Sequence, residues 1–121
     1  MGLQNVLSEV LNTWLTGSRG IHEIVLCDSQ GLPIVSAGTL AQANELSLSA
    51  ATVSIHSVSN NVRALFANSS IEYINIKMRG RKVFIWKLPT QDMCIMFFIS
   101  SPTIAEMRKM VKTLDFIVQV C

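Results

Sequence analysis

The sequence predicts an α+β fold. A five-stranded, mostly antiparallel sheet carries one long helix on one face and the N- and C-terminal helices on the other, in the order α-β-β-α-β-β-β-α. Three observations carry this reading. Apolar residues recur at three- and four-residue spacing at both ends of the chain and through its middle. Five short runs between those stretches are rich in strand formers. Tight-turn residues separate the runs: Asp28-Ser29-Gln30-Gly31, Arg79-Gly80 and Pro89-Thr90-Gln91-Asp92.

The elements follow in order. Leu3, Val6, Leu7, Val10, Leu11, Trp14 and Leu15 form one helical stripe, ended by Gly17-Ser18-Arg19-Gly20. Strands are predicted from Ile21 to Cys27 and from Pro33 to Ala37. Asp28 favours the start of the turn between them and Gly31 can take a positive φ. Gly38 and Thr39 break the pattern, and a long helix runs from Gln42 to Phe66. Strands follow at Ile71–Met78, Lys82–Leu88 and Met93–Ile99. The last helix starts in one of two ways: Thr103 and Glu106 form a capping box, or Ser101 caps with Pro102 at the first helical position. Its stripe is Met107, Met110, Val111, Leu114, Ile117 and Val118, with Lys109 and Lys112 facing water.

Composition bounds the function. A chain of 121 residues is expected to be one domain, 1–121, with a core that needs no disulfide staples. Half of it is hydrophobic and 15% is charged, against a usual charged share of about 25%. Mean hydropathy is +0.41. The longest apolar run, Met93–Ile99, falls far short of the ~20 residues of a spanning helix. No signal peptide is read at the N-terminus. The excess apolar surface therefore points to a cytoplasmic protein that oligomerises, with no membrane insertion. Net charge of +2 does not predict nucleic-acid binding; Arg79, Arg81 and Lys82 read as a solvated turn. Cys27, Cys94 and Cys121 form no C-x-x-C and suit a reducing compartment.

The long helix carries the partner signal. At 100° per residue it divides into three faces. Leu48, Ala51, Ile55, Val58, Val62, Leu65 and Phe66 form an apolar stripe whose default use is packing on the sheet. Glu45, Ser49, Thr52, His56, Ser59 and Arg63 form a polar face expected to meet water or a partner. Leu46, Ala50, Val53, Ser54, Ser57, Asn61 and Ala64 form a face of small or modest side chains. Such a face admits a second helix closely; the alternative is that it is half-exposed and merely tolerant. Two copies paired about a twofold axis would bury it isologously, so Ala50→Arg or Ser57→Arg is expected to give monomer or insoluble protein. In the third predicted strand Tyr73, Asn75 and Lys77 alternate with Ile74, Ile76 and Met78. That strand is either a sheet edge, which needs covering or pairing, or an interior strand paired on both sides.

Catalytic chemistry finds little support. The chain has neither G-x-x-x-x-G-K-[ST] nor G-x-G-x-x-G, so no nucleotide cofactor is expected. His22 and Cys27, the one pair that suggests a nucleophile, are five positions apart and point to opposite faces of a strand. No cluster has metal-ligand spacing, and Met78, Met93, Met96, Met107 and Met110 read as adaptable core. Arg63, Arg79 and Arg81 are the candidates for an arginine finger offered to a partner.

The ordered wording of the chain resembles the roadblock / dynein light chain family. The residues concerned are a leading helix ending in Trp14-Leu15, then Gly20-Ile21, Ile24-Val25-Leu26-Cys27-Asp28 and Gly31-Leu32-Pro33-Ile34-Val35-Ser36, with Leu48-Ser49-Ala50 and the Ile74–Ile76 strand further on. The C-terminal helix makes the layout most similar to the prokaryotic MglB-like members. The resemblance implies a non-enzymatic scaffold or regulator, dimeric with itself or a paralogue, whose joint sheet-and-helix platform binds a small Ras-like GTPase. The alternative is an adaptor or light chain that touches no GTPase. Activation in MglB-like members works by repositioning the GTPase's own residues, which argues against an arginine finger. Carried to this chain, the dimer surface is Leu46, Ala50, Val53, Ser54, Ser57, Asn61 and Ala64 with Ile71, Tyr73, Asn75 and Lys77. GTPase contact falls near Glu45, Ser49, His56 and Arg63.

Overall fold

The computed structural model describes residues 2–17, 20–67 and 69–121. Ser18 and Arg19, part of the expected first helix stop, lie outside the described residues. The elements are α1 (Leu3–Gly17), β1 (Ile21–Asp28), β2 (Pro33–Ala37), α2 (Thr39–Ala43), α3 (Glu45–Leu65), β3 (Tyr73–Met78), β4 (Arg81–Lys87), β5 (Met93–Ile99) and α4 (Ile104–Val120). The strands form one antiparallel sheet in the order β2-β1-β5-β4-β3.

The β1–β2 turn forms as its residues dictate. Asp28 Oδ1 accepts from the Gln30 and Leu32 backbone N–H groups at 2.9 and 3.0 Å, and Gly31 holds φ 81. Of the two candidate starts for α4, the Thr103 capping box forms: Thr103 Oγ1 accepts from the Glu106 N–H at 3.1 Å and donates to its carboxylate at 3.2 Å.

The boundaries differ most from the sequence reading in three places. The long helix is broken, because Asn44 at φ −128, ψ 25 separates α2 from α3. Its side-chain amide donates to the Leu40 carbonyl at 2.9 Å, giving the backbone a local alternative to helical continuation. Thr39 opens α2 instead of breaking the pattern. β3 starts at Tyr73, so Ile71 lies in the connection before it.

Two apolar layers sandwich the sheet. The larger, between the sheet and α1 with α4, joins Leu7, Leu11, Met107, Val111 and Leu114 to Ile24, Leu26, Phe84, Ile95 and Phe97. Asp115 of α4 is buried there, its carboxylate accepting from the Thr90 N–H at 2.9 Å and the Thr90 hydroxyl at 2.8 Å. This ties α4 to the β4–β5 turn. The smaller layer, under α2 and α3, has only Val25, Ala41, Ile85 and Met96 at its centre. That asymmetry leaves apolar surface uncovered on the α3 side.

Candidate functional site

β3 pairs with β4 alone, so it is an edge strand with one open row of backbone donors and acceptors. The interior alternative does not hold. Tyr73 turns to the α1/α4 layer and stacks on Trp86 and Phe84, with ring centroids 5.0 and 5.5 Å away. Asn75 and Lys77 are exposed, and Ile74 packs on the α3 side.

α3 sits on the sheet rotated from the expected orientation by about 100°, one residue of helical turn. Ser49 and Thr52, from the face read as polar and partner-facing, are its buried residues. Their small size lets the helix come down onto β1, where Cys27 Sγ lies 3.8 Å from the Ser49 carbonyl oxygen. Thr52 Oγ1 satisfies itself by donating to the Leu48 carbonyl at 2.7 Å. Ser49 is therefore withdrawn from the GTPase-contact surface read from the sequence. The apolar stripe, expected to cover the sheet, does so only through half-buried Leu48 and Ile55. Ala51 is exposed, and Val58, Val62, Leu65 and Phe66 are 63, 50, 81 and 68% exposed.

The other expected contacts divide. Glu45 accepts from the Ser36 hydroxyl at 2.9 Å, and Arg63 is half-buried with no partner for its Nε. His56 is half-buried beside Asn60. Leu46, Ala50, Ser54, Ser57, Asn61 and Ala64 all face outward, and Val53 is half-buried.

Between α3 and the sheet runs an apolar groove that the sequence reading missed. Its shallow part lies between Ile55, Val58 and Val62 of α3 and Ile74 of β3. Its deeper part is a cavity of about 270 Å³ lined by Leu40, Leu48, Met78, Val83, Met96 and Phe98, together with Glu23 and Asn44. Both parts share the smaller core layer. The strip is long and apolar, and it borders an open strand edge. Such a surface suits a protein partner.

The reactive side chains have other surroundings. Cys27 is held as a neutral thiol: burial, and secondarily Cys94 and Asp28, push its pKa up to about 12. His22 meets Ser100 Oγ at 3.1 Å. Among the described residues no three His, Cys, Asp or Glu side chains gather to hold a metal, and no helix is long and apolar enough to cross a membrane.

Burial, then Lys87 and Arg63, lower the His56 pKa from its ordinary 6.5, with Asp92 opposing. The folded chain thus binds this proton less readily than the unfolded chain. Stability is full above pH 6.5 and falls as pH drops below it. His56→Gln is expected to flatten the loss of stability between about pH 7 and pH 5, read as the urea midpoint at each pH.

Comparison with known proteins adds the family frame. Residues 7–93 match the Roadblock/LC7 domain model. No curated protein sequence matches the chain. The fold is similar to MglB of Myxococcus xanthus (12% identity, TM-score 0.79, covering 97% of this chain and 87% of that one). It is also similar to the gliding protein MglB of Thermus thermophilus (9%, TM-score 0.82, 100% and 94%). A Roadblock/LC7 domain from Streptomyces avermitilis aligns comparably (13%, TM-score 0.78, 93% and 97%). A further MglB structure, with a TM-score of 0.82, is described as a tetrameric arrangement.

Proposed function

The chain belongs to the Roadblock/LC7 domain family, and from that premise we propose that it is a dimeric cytoplasmic scaffold that binds and regulates a small Ras-like GTPase. The observation that carries this reading is the open edge of β3 beside the uncovered apolar flank of α3. Antiparallel pairing of two β3 edges makes one continuous sheet and brings two α3 helices alongside each other. Burial of Val58 and Val62 drives the association, and the edge supplies its register. The contact falls on the apolar flank and Ser54, one residue's turn away from the centre of the small face. Leu46, Ala50, Ser57, Asn61 and Ala64 then remain on the outer surface of a two-helix platform, while Glu45, His56 and Arg63, half-buried on the sheet-facing side of α3 with Ser49 and Thr52, are set back from it. The GTPase docks on this platform.

Light scattering of the pure chain, alone and with a GTP-loaded candidate GTPase, tests the reading. A dimer mass that rises on adding the GTPase is expected. A monomer at every concentration overturns the dimer. A dimer that recovers motor or complex subunits from lysate and binds no GTPase selects the adaptor role.

A further inference from the structure

We propose that the 270 Å³ cavity is a socket for a second copy of this chain, filled by the partner's Phe66, so that each protomer completes the other's core. The inference rests on the self-association proposed above and specifies what locks it.

The cavity and its plug lie at opposite ends of one helix. Leu48, which lines the cavity, and Phe66 are 18 residues apart, five turns, and so share the apolar flank of α3. Those five turns span ~27 Å at 1.5 Å per residue. Phe66 is 68% exposed as the C-cap of α3. The direction of β3 links the two ends. Val58 and Val62 flank Ile74, near the start of β3, while Met78 at its finish lines the cavity. Antiparallel pairing of two β3 edges places the Tyr73 end of one protomer against the Met78 end of the other. The bare C-terminal turns of one α3 are thereby carried toward the partner's cavity, and by isologous symmetry the reverse contact forms as well.

Size and chemistry agree. An apolar cavity of about 150 Å³ admits a benzene ring, so about 270 Å³ accommodates a phenyl group. Six of the eight lining residues are Leu, Met, Val or Phe, and Leu40 and Met78, at 60 and 46% exposed, are the most open of them. The two polar lining residues are engaged within the chain: the Glu23 carboxylate accepts from the Ala41 N–H at 2.8 Å and the Asn44 amide donates to the Leu40 carbonyl at 2.9 Å. The socket thus presents hydrocarbon, and a helix of the same chain brings an unburied aromatic ring to it.

The test is a disulfide trap in the full chain with Cys121→Ser, which removes the one exposed native thiol. Phe66→Cys is combined with Met78→Cys, and separately with Leu40→Cys, and each protein is oxidised with diamide. A disulfide-linked dimer from at least one pair, absent from each single-cysteine chain, is expected on a non-reducing gel. An intrachain bond would leave monomer mass and counts against the socket. Light scattering on the same reduced samples separates the two levels of the argument. A dimer that yields no linked product overturns the socket and leaves the self-association standing, whereas a monomer overturns both. Phe66→Ala, which leaves the protomer's own core untouched, is expected to raise the dimer dissociation constant about 100-fold, because two symmetry-related rings lose their burial. An unchanged constant overturns the proposal.

Discussion

A Val58→Arg chain is expected to be monomeric under conditions where the parent is a dimer, while Ser57→Arg, one residue earlier, stays dimeric. Val58 is 63% exposed on the apolar flank of α3, so the substitution leaves the protomer's core intact and its melting temperature close to that of the parent. In an isologous pair both copies introduce the charge. Each guanidinium is buried against hydrocarbon and stands near its symmetry mate, which weakens association by on the order of 100-fold or more. Ser57 points away from the groove, outward on the same helix. Sedimentation velocity across a dilution series reads both variants. The contrast between adjacent residues decides which face of the helix makes the contact. A monomeric Ser57→Arg with a dimeric Val58→Arg would return the interface to the small-residue face.

That contrast also marks where the sequence stopped being legible. Elements whose signals are local came through: the Asp28–Gly31 turn, the Thr103 capping box and the apolar run Met93–Ile99 all appear where their chemistry puts them. The layer order also followed, since strand count and helix placement leave few ways to bury two apolar faces. The azimuth of α3 did not follow. Hydrophobic periodicity assumes that the most apolar arc of a helix faces its own core. Here two small polar residues, Ser49 and Thr52, make the closest approach, and the apolar arc is left for something outside the chain. The break at Asn44 was illegible for a related reason. Asparagine inside a helical pattern is tolerated, and only the geometry shows its amide taking the Leu40 carbonyl. Asp115 reads as an ordinary polar residue on α4 until the β4–β5 turn is seen folded over it. The socket was out of reach as well, because it is assembled from α2, α3 and four strands, and no local signal announces it.

Gly38→Ala is expected to destabilise the chain by about 3 kcal/mol and to weaken dimerisation with it. Gly38 has φ 106, and a Cβ there would lie 2.2 Å from Glu23 Oε1 and 2.8 Å from the His22 carbonyl oxygen. Two costs combine. At φ 106, ψ 149 the backbone lies in an extended positive-φ region essentially reserved for glycine, which costs roughly 1–3 kcal/mol at a residue bearing Cβ. Displacing the Glu23 carboxylate breaks its bond to the Ala41 N–H, the contact that satisfies the start of α2, worth ~1 kcal/mol. At roughly 4 °C per kcal/mol for a chain of this length, the melting temperature falls by about 12 °C. α2 carries Leu40, which lines the socket, so the displacement extends from a backbone turn to the subunit contact. Glu23→Ala in the same chain separates the parts. It removes the carboxylate collision but not the one with the His22 carbonyl, so the double variant is expected to be less destabilised than the sum of the two single changes. Strict additivity in thermal melts would show that Glu23 does not couple Gly38 to α2.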